Sequence, residues 1–256
     1  MEMLNPHCGI TRDDRGVVRL AVCNAGSLNI LSSAVTDGVR AGFERLADDR
    51  SVRVVILTGQ SERSMIGGAD IREMAALEPK SAEAFITRLR DLCEAIRRFP
   101  APVIARLPGW CLGGGLEVAA ACDLRIAAQD AKFGMPEVKV GIPSVIHAAL
   151  LPRLIGVGRA RFLVMTAENI DAPTALAWGL VDKVAAPGGL DDAVEHTVSA
   201  LLECGAEALR IQKELCRDWD ELPLAEAVNR SIGQFGKSFL SGEPQQMLGG
   251  FLNRKR

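Results

Sequence analysis

Residues 102–122 read PVIARLPGWCLGGGLEVAAAC, and the fold turns on this stretch. The apolar run from Pro102 to Leu107 has the composition of a buried strand, Pro108-Gly109 marks a turn, and Leu116 to Cys122 continues as a helix of small residues that must pack tightly. Between strand and helix stand Gly113, Gly114 and Gly115. Glycine lets the backbone approach a ligand closely, and the first turn of a helix offers unpaired N–H groups at its positive dipole end. Glu117 follows Gly114 by three residues, so on a first helical turn its side chain shares that glycine's face. A carboxylate beside an anion-stabilising amide is electrostatically odd unless it handles a proton. The alternative is that Glu117 only complements the helix dipole, and this segment by itself leaves both readings open.

A second glycine-rich segment, Gly67-Gly68-Ala69-Asp70, follows the strand pattern Val52 to Thr58 after a polar loop. Asp70 reads as the N-cap of a short helical pattern, Ile71 to Met74, and the Ala69 N–H is the better candidate for ligand contact. A further carboxylate stands in Met135-Pro136-Glu137. Such a Pro-Glu pair ordinarily begins a helix or turn, and its weight here comes from its company. Two backbone donors facing two acids would favour a developing enolate oxygen.

Other chemistries find little support. Neither glycine cluster continues into Gly-Lys-Ser/Thr or spells the dinucleotide fingerprint after a first strand. His7, His147 and His196 have no nucleophile elbow to serve, and His147, in an apolar helical run, reads as a core or pocket-lining residue. Cys111 has no charged neighbour in sequence to make it a thiolate and reads as a packing residue, while Trp110 either lines a pocket or packs.

A chain of 256 residues, 48% of them hydrophobic, buries a sizeable core as one large domain or as a domain with an appendage. A formal charge of −2 and the lack of a basic block before the last three residues argue against nucleic acid as a partner. The 7 cysteines are scattered without C-x-x-C spacing, which predicts neither disulfides nor a metal site and fits a reducing cytoplasm. With no signal-like N-terminus and no apolar run of membrane-spanning length, a soluble protein away from the membrane is expected.

Strand patterns at Val17 to Val22, Val52 to Thr58, Pro102 to Leu107, Asp123 to Ala128 and Leu180 to Ala185 alternate with helical ones at Ser32 to Ala47 and Lys80 to Phe99, which predicts an α/β fold. Helical patterns alone follow, at Leu190 to Leu202, Ala206 to Cys216, Leu222 to Phe239 and Pro244 to Leu252. The linker-like Ala186-Pro187-Gly188-Gly189 divides an expected α/β core, 1–186, from an expected helical subdomain, 187–256.

Taken in order, Asn24-Ala25 to Asn29, Ile66-Gly67-Gly68-Ala69-Asp70-Ile71, Gly113 to Ala119, Phe133-Gly134-Met135-Pro136-Glu137, Ala172 to Val184 and Phe251 to Lys255 give a chain that resembles the crotonase superfamily, the enoyl-CoA hydratase/isomerase proteins, over nearly its whole length. The resemblance implies a crotonase-like (ClpP/crotonase) spiral of repeated ββα units with a C-terminal helical oligomerisation subdomain. It implies an acyl-CoA thioester substrate, an oxyanion hole from the amides of Ala69 and Gly114, and catalytic Glu117 and Glu137 acting on water. For CoA it implies contacts at Ala25, Leu28, Gly67 and Ile71, with Phe251 and Lys255 closing over the ligand, often from a neighbouring subunit of a trimer or dimer of trimers. No cofactor beyond CoA and no metal is implied.

Both acids together favour reversible hydration of a 2-enoyl-CoA, with isomerisation as the nearest alternative and a non-catalytic CoA-thioester-binding or RNA-binding protein as the reading from another class. The resemblance weakens after Glu137. Ser144 stands where relatives carry a glycine that helps position water, Val145 and Ile146 add bulk, and Met65-Ile66 replaces the more usual Phe and small residues.

Overall fold

The structure is a computed structural model and describes residues 1–254. Strands β1 (Glu2–Asn5), β2 (Cys8–Arg12) and β3 (Val17–Val22) open the chain as an antiparallel meander. Helix α1 (Ser33–Ala47) starts where the Ser32 side chain accepts the Val35 N–H, and it buries Val35, Val39, Phe43 and Leu46 at helical spacing.

Two strands and a helix then recur. The first unit is β4 (Val54–Gly59), β5 (Ser64–Ile66), a short α2 (Ile71–Met74) and α3 (Pro79–Arg98). The second is β6 (Val103–Leu107), β7 (Trp110–Leu112) and α4 (Gly114–Ala121). The third is β8 (Leu124–Ala127) and β9 (Lys132–Gly134), then 3₁₀ turns at Glu137–Val140 and Ile146–Leu150 leading into α5 (Leu151–Ile155). In each unit the first strand joins the large sheet and the second joins the small one, parallel to its counterparts, so the units wind as a spiral.

The chain continues through α6 (Val157–Thr166), β10 (Ile170–Asp171), α7 (Ala172–Trp178), β11 (Lys183–Val184) and the helices α8 (Leu190–Leu202), α9 (Ala206–Glu221), α10 (Leu224–Ser238) and α11 (Glu243–Arg254). The large sheet runs β1-β2-β3-β4-β6-β8-β11 and the small one β10-β9-β7-β5. One face of the large sheet packs on α1, α3 and α4, and the other buries Val54, Ile56, Ile104 and Ile126 under Leu190, Val194 and Val198 of α8. Among the described residues no helix is long and apolar enough to cross a membrane.

Two sequence expectations are corrected. Leu180 to Ala185 forms a strand only at Lys183–Val184, because the N–H groups of Leu180 and Val181 bond the Ala175 carbonyl and close the end of α7. The segment 59–66 is not a plain polar loop, since it holds β5, which carries the chain into the small sheet just before Gly67.

Gly115 sits where α4 crosses β5, and a methyl group there would collide with the Ile66 carbonyl oxygen. Gly115→Ala is expected to cost roughly 1–3 kcal/mol in urea unfolding, the usual penalty of overpacking. An unchanged midpoint would show that α4 is free to shift.

Candidate active site

The Gly67–Asp70 segment is held along one side. Gly67 N–H bonds Leu28 O at 2.7 Å, Leu31 N–H bonds Gly68 O at 2.9 Å, and Asp70 N–H bonds Leu31 O at 2.9 Å. In this bridge the groups of residues 68 and 70 face Leu31, so the alternation of extended backbone turns the Ala69 N–H the other way, toward a cavity that Ala69 lines. Gly68 has φ +123°, a conformation that side chains rarely adopt. Asp70 caps α2 by accepting the N–H groups of Arg72 and Glu73, as the sequence predicts, and Glu73 in turn binds the N–H and hydroxyl of Ser33 on α1.

Gly114 opens α4, so its N–H lies among the orphan donors of the first turn. The amides of Ala69 and Gly114 find no acceptor among the described residues. Gly113 has φ +51°, a conformation that side chains rarely adopt, and the Glu137 carboxylate lies against it.

Glu117 is 4% exposed, in the apolar interior at the start of α4. Its Oε1 accepts the Ala148 N–H at 2.9 Å. Burial pushes its pKa up to about 8 against the lowering effect of that bond, and the charge of Glu137 adds to the rise. Glu137 is less deeply placed, and its Oε2 accepts the Ser144 hydroxyl at 2.9 Å. Burial raises its pKa more than the backbone and Ser144 hydrogen bonds lower it.

The two acids share a cavity of about 540 Å³ with Gly67, Ala69, Ile71, Gly113 and Gly114. Apart from Glu83, its remaining wall is apolar, from Met74, Leu77, Phe85, Ile86 and Leu89 on one side to Leu112, Val140, Ile142, Pro143 and Val145 on the other. This is room for an apolar group whose polar end meets two free amides and two acids of raised pKa.

Of the residues singled out from sequence, the fold thus brings together Glu117, Glu137, Ala69, Gly114, Gly67 and Ile71. Leu28 lies beside the Gly67 segment and Ala25 in the loop that leads to it, its carbonyl accepting the Ile30 N–H; both are half-buried and outside the cavity lining. Phe251, on α11, is exposed and does not line the cavity, and Lys255 lies outside the described residues. His147 is buried and bonds Glu94, Cys111 is buried with its thiol against the Gly115 carbonyl, and Trp110 is exposed outside the cavity lining. Sequence reasoning missed the Ala148 N–H, an ordinary backbone group without a signature, and the α3 wall of Phe85, Ile86 and Leu89. It singled out Ser144 as unusual without giving it the Glu137 bond.

The chain is similar to known proteins in both sequence and fold. The enoyl-CoA hydratase/isomerase family matches residues 12–256. A crotonyl-CoA hydratase of Syntrophomonas wolfei is 33% identical over 90% of this chain and 89% of its own length. A short-chain-enoyl-CoA hydratase of Clostridium acetobutylicum is 32% identical over 90% and 88%. The crystal structure of an enoyl-CoA hydratase from Mycobacterium smegmatis superposes with TM-score 0.93 at 31% identity, covering 98% of this chain and 97% of that one.

The raised pKa of Glu117 has a stability consequence. Below about pH 4.5, its ordinary value, the group is protonated in both folded and unfolded chains. Above it the unfolded chain ionises while the folded one keeps the proton, so stability falls, by about 1.4 kcal/mol per pH unit, until the pH passes about 8. Glu117→Gln is therefore expected to match the parent in urea unfolding at pH 4 and to exceed it by several kcal/mol at pH 8. A difference independent of pH would contradict the assignment.

Proposed function

The chain belongs to the enoyl-CoA hydratase/isomerase family of the crotonase superfamily, and from that premise we propose that it reversibly hydrates a 2-enoyl-CoA to a 3-hydroxyacyl-CoA. The observation that carries the reading is the convergence on one apolar cavity of two unpaired amides and two carboxyl groups of raised pKa. In this proposal the thioester carbonyl lies between the amides of Ala69 and Gly114. Water held between Glu117 and Glu137 adds through its oxygen to C3 and gives one proton to a carboxylate. The electron pair of the double bond moves toward the carbonyl, and the enolate oxygen draws strength from both amides. A proton from a carboxyl group then forms the new C2–H bond, so atoms and charge balance. Each amide contributes roughly 10²–10³ in rate and each acid roughly 10²–10⁴.

The wider assignments belong to the same proposal. Ala25, Leu28, Gly67 and Ile71 hold CoA by their backbone and flanks, and Phe251 and Lys255 complete its site, in part from a neighbouring subunit. No cofactor beyond the CoA of the substrate takes part. The chain divides into an α/β core, 1–186, and a helical subdomain, 187–256, that assembles trimers or pairs of trimers. Supporting assembly, Leu224, Val228, Ile232 and Phe235 are exposed at helical spacing along α10. The free cysteines fit a cytoplasmic enzyme.

With crotonyl-CoA and a longer 2-enoyl-CoA, the conjugated-thioester absorbance is expected to fall, and Glu117→Gln and Glu137→Gln to slow that fall by at least about 10². Full activity in both variants would refute the assigned roles. Sedimentation is expected to give three or six times the mass of one chain, and a stable monomer would contradict the assembly.

A further inference from the structure

The Ala148 N–H that meets Glu117 belongs to a turn under backbone strain. Ile146, which opens the Ile146–Leu150 turn, has φ +39°, in the left-handed region that a β-branched residue rarely occupies. Such a conformation persists only where its surroundings over-determine it. The Ala148 N–H is moreover shared, since it also lies 3.0 Å from the Val145 carbonyl. A small rotation of the turn would therefore hand the donor from Glu117 to Val145.

What resists that rotation is the residue between. His147 is 7% exposed, and its Nε2 lies 2.9 Å from Glu94 Oε1 on α3. Glu94 is itself fixed by Arg97 at 3.0 Å and by Arg98 at 2.9 Å, and Arg97 reaches on to Glu221 of α9 at 2.9 Å. Burial lowers the His147 pKa more than the Glu94 charge raises it, so the ring is neutral at pH 7. A neutral ring facing a carboxylate carries its proton on Nε2 and donates it. That leaves Nδ1 as a buried lone pair without a partner among the described residues, a cost incurred for the sake of the Glu94 bond.

We propose that the His147–Glu94 hydrogen bond clamps the strained 146–150 turn to α3 and so aims the Ala148 N–H at Glu117, making His147 a positioning residue for the reacting carboxyl group. The inference rests on the role given to Glu117 above. His147 is outside the cavity lining, so it acts through the backbone and not on the substrate.

The consequence appears in the pH dependence of kcat/KM. Glu117 is faced by the Ala148 amide, by Glu137 and by the buried Cys93 thiol, and His147 by Glu94, Arg97 and Arg90. Of these only the Ala148 amide lowers the Glu117 pKa, so losing it moves the Glu117-governed limb to higher pH whether the group serves as acid or base. The size expected is that of one hydrogen bond, roughly 0.5–1 pH unit.

The experiment measures kcat/KM for hydration against pH, with thermal melting, in the full-length parent, Glu117→Gln, His147→Leu and His147→Gln. His147→Leu removes the donor, and His147→Gln places an amide N–H where Nε2 stood. Expected are an upward shift of the limb in His147→Leu and a parental profile in His147→Gln. If His147→Leu does not fold, Glu94→Ala breaks the same contact from α3 and carries the same expectation. A folded His147→Leu or Glu94→Ala with lower melting temperature but parental pH profile overturns the positioning role. An active Glu117→Gln overturns the reading of Glu117 instead, so the two failures are distinguishable.

Discussion

The constraint on which the site depends is a carboxyl group buried at the first turn of a helix of small residues. Ionised Glu117 would sit almost wholly buried beside a largely apolar cavity, with one backbone N–H as its hydrogen-bond donor among the described residues. Desolvation of a carboxylate outweighs one neutral hydrogen bond, so the group keeps its proton to about pH 8. The cost falls on stability, and the return is an acid that can exchange a proton near neutral pH. Much of the surrounding fold serves to hold that group in place: glycines 113–115 let α4 begin hard against β5 and Glu137, and the 146–150 turn brings in the Ala148 amide.

The two acids are unlike each other for reasons that can be named. Glu117 lies on a helix inside the core, whereas Glu137 lies on a 3₁₀ turn at the cavity wall with the Ser144 hydroxyl on one oxygen. Pairs of titratable groups held in unlike surroundings have their pKa values pushed apart, which suits one to give a proton while the other takes one. The two amides face the same space from different units of the spiral, Ala69 after β5 and Gly114 after β7. Parallel pairing of β5 with β7 sets their relative placement.

Long periodic elements were legible in the sequence because burial alone decides them. The helical patterns Ser32 to Ala47 and Lys80 to Phe99 became α1 and α3 to within a residue at each end, and α3 buries Phe85, Leu89, Leu92 and Ile96 at helical spacing. Strands β5, β7 and β9, of three residues each, are too short for any periodicity to show, and only the family resemblance implied them. Glu117, Glu137, Ala69 and Gly114 each had an ordinary structural reading, and it was their company and the family resemblance that put them in one site; the fold brings the four to one cavity. The Ala148 amide and the His147–Glu94 tie were not, since they depend on contacts across 31 and 53 positions between residues of ordinary type.

The central claim is that water is added through a thioester enolate, and isotopes test it most directly. The enzyme is incubated with crotonyl-CoA in ¹⁸O-labelled water and, separately, in deuterium oxide, and the product is analysed by mass spectrometry. The account predicts a 3-hydroxyacyl-CoA carrying ¹⁸O at C3 in the first case and one carbon-bound deuterium at C2 in the second. Deuterium incorporation without any oxygen from water would contradict hydration and leave proton transfer alone, the chemistry of an isomerase.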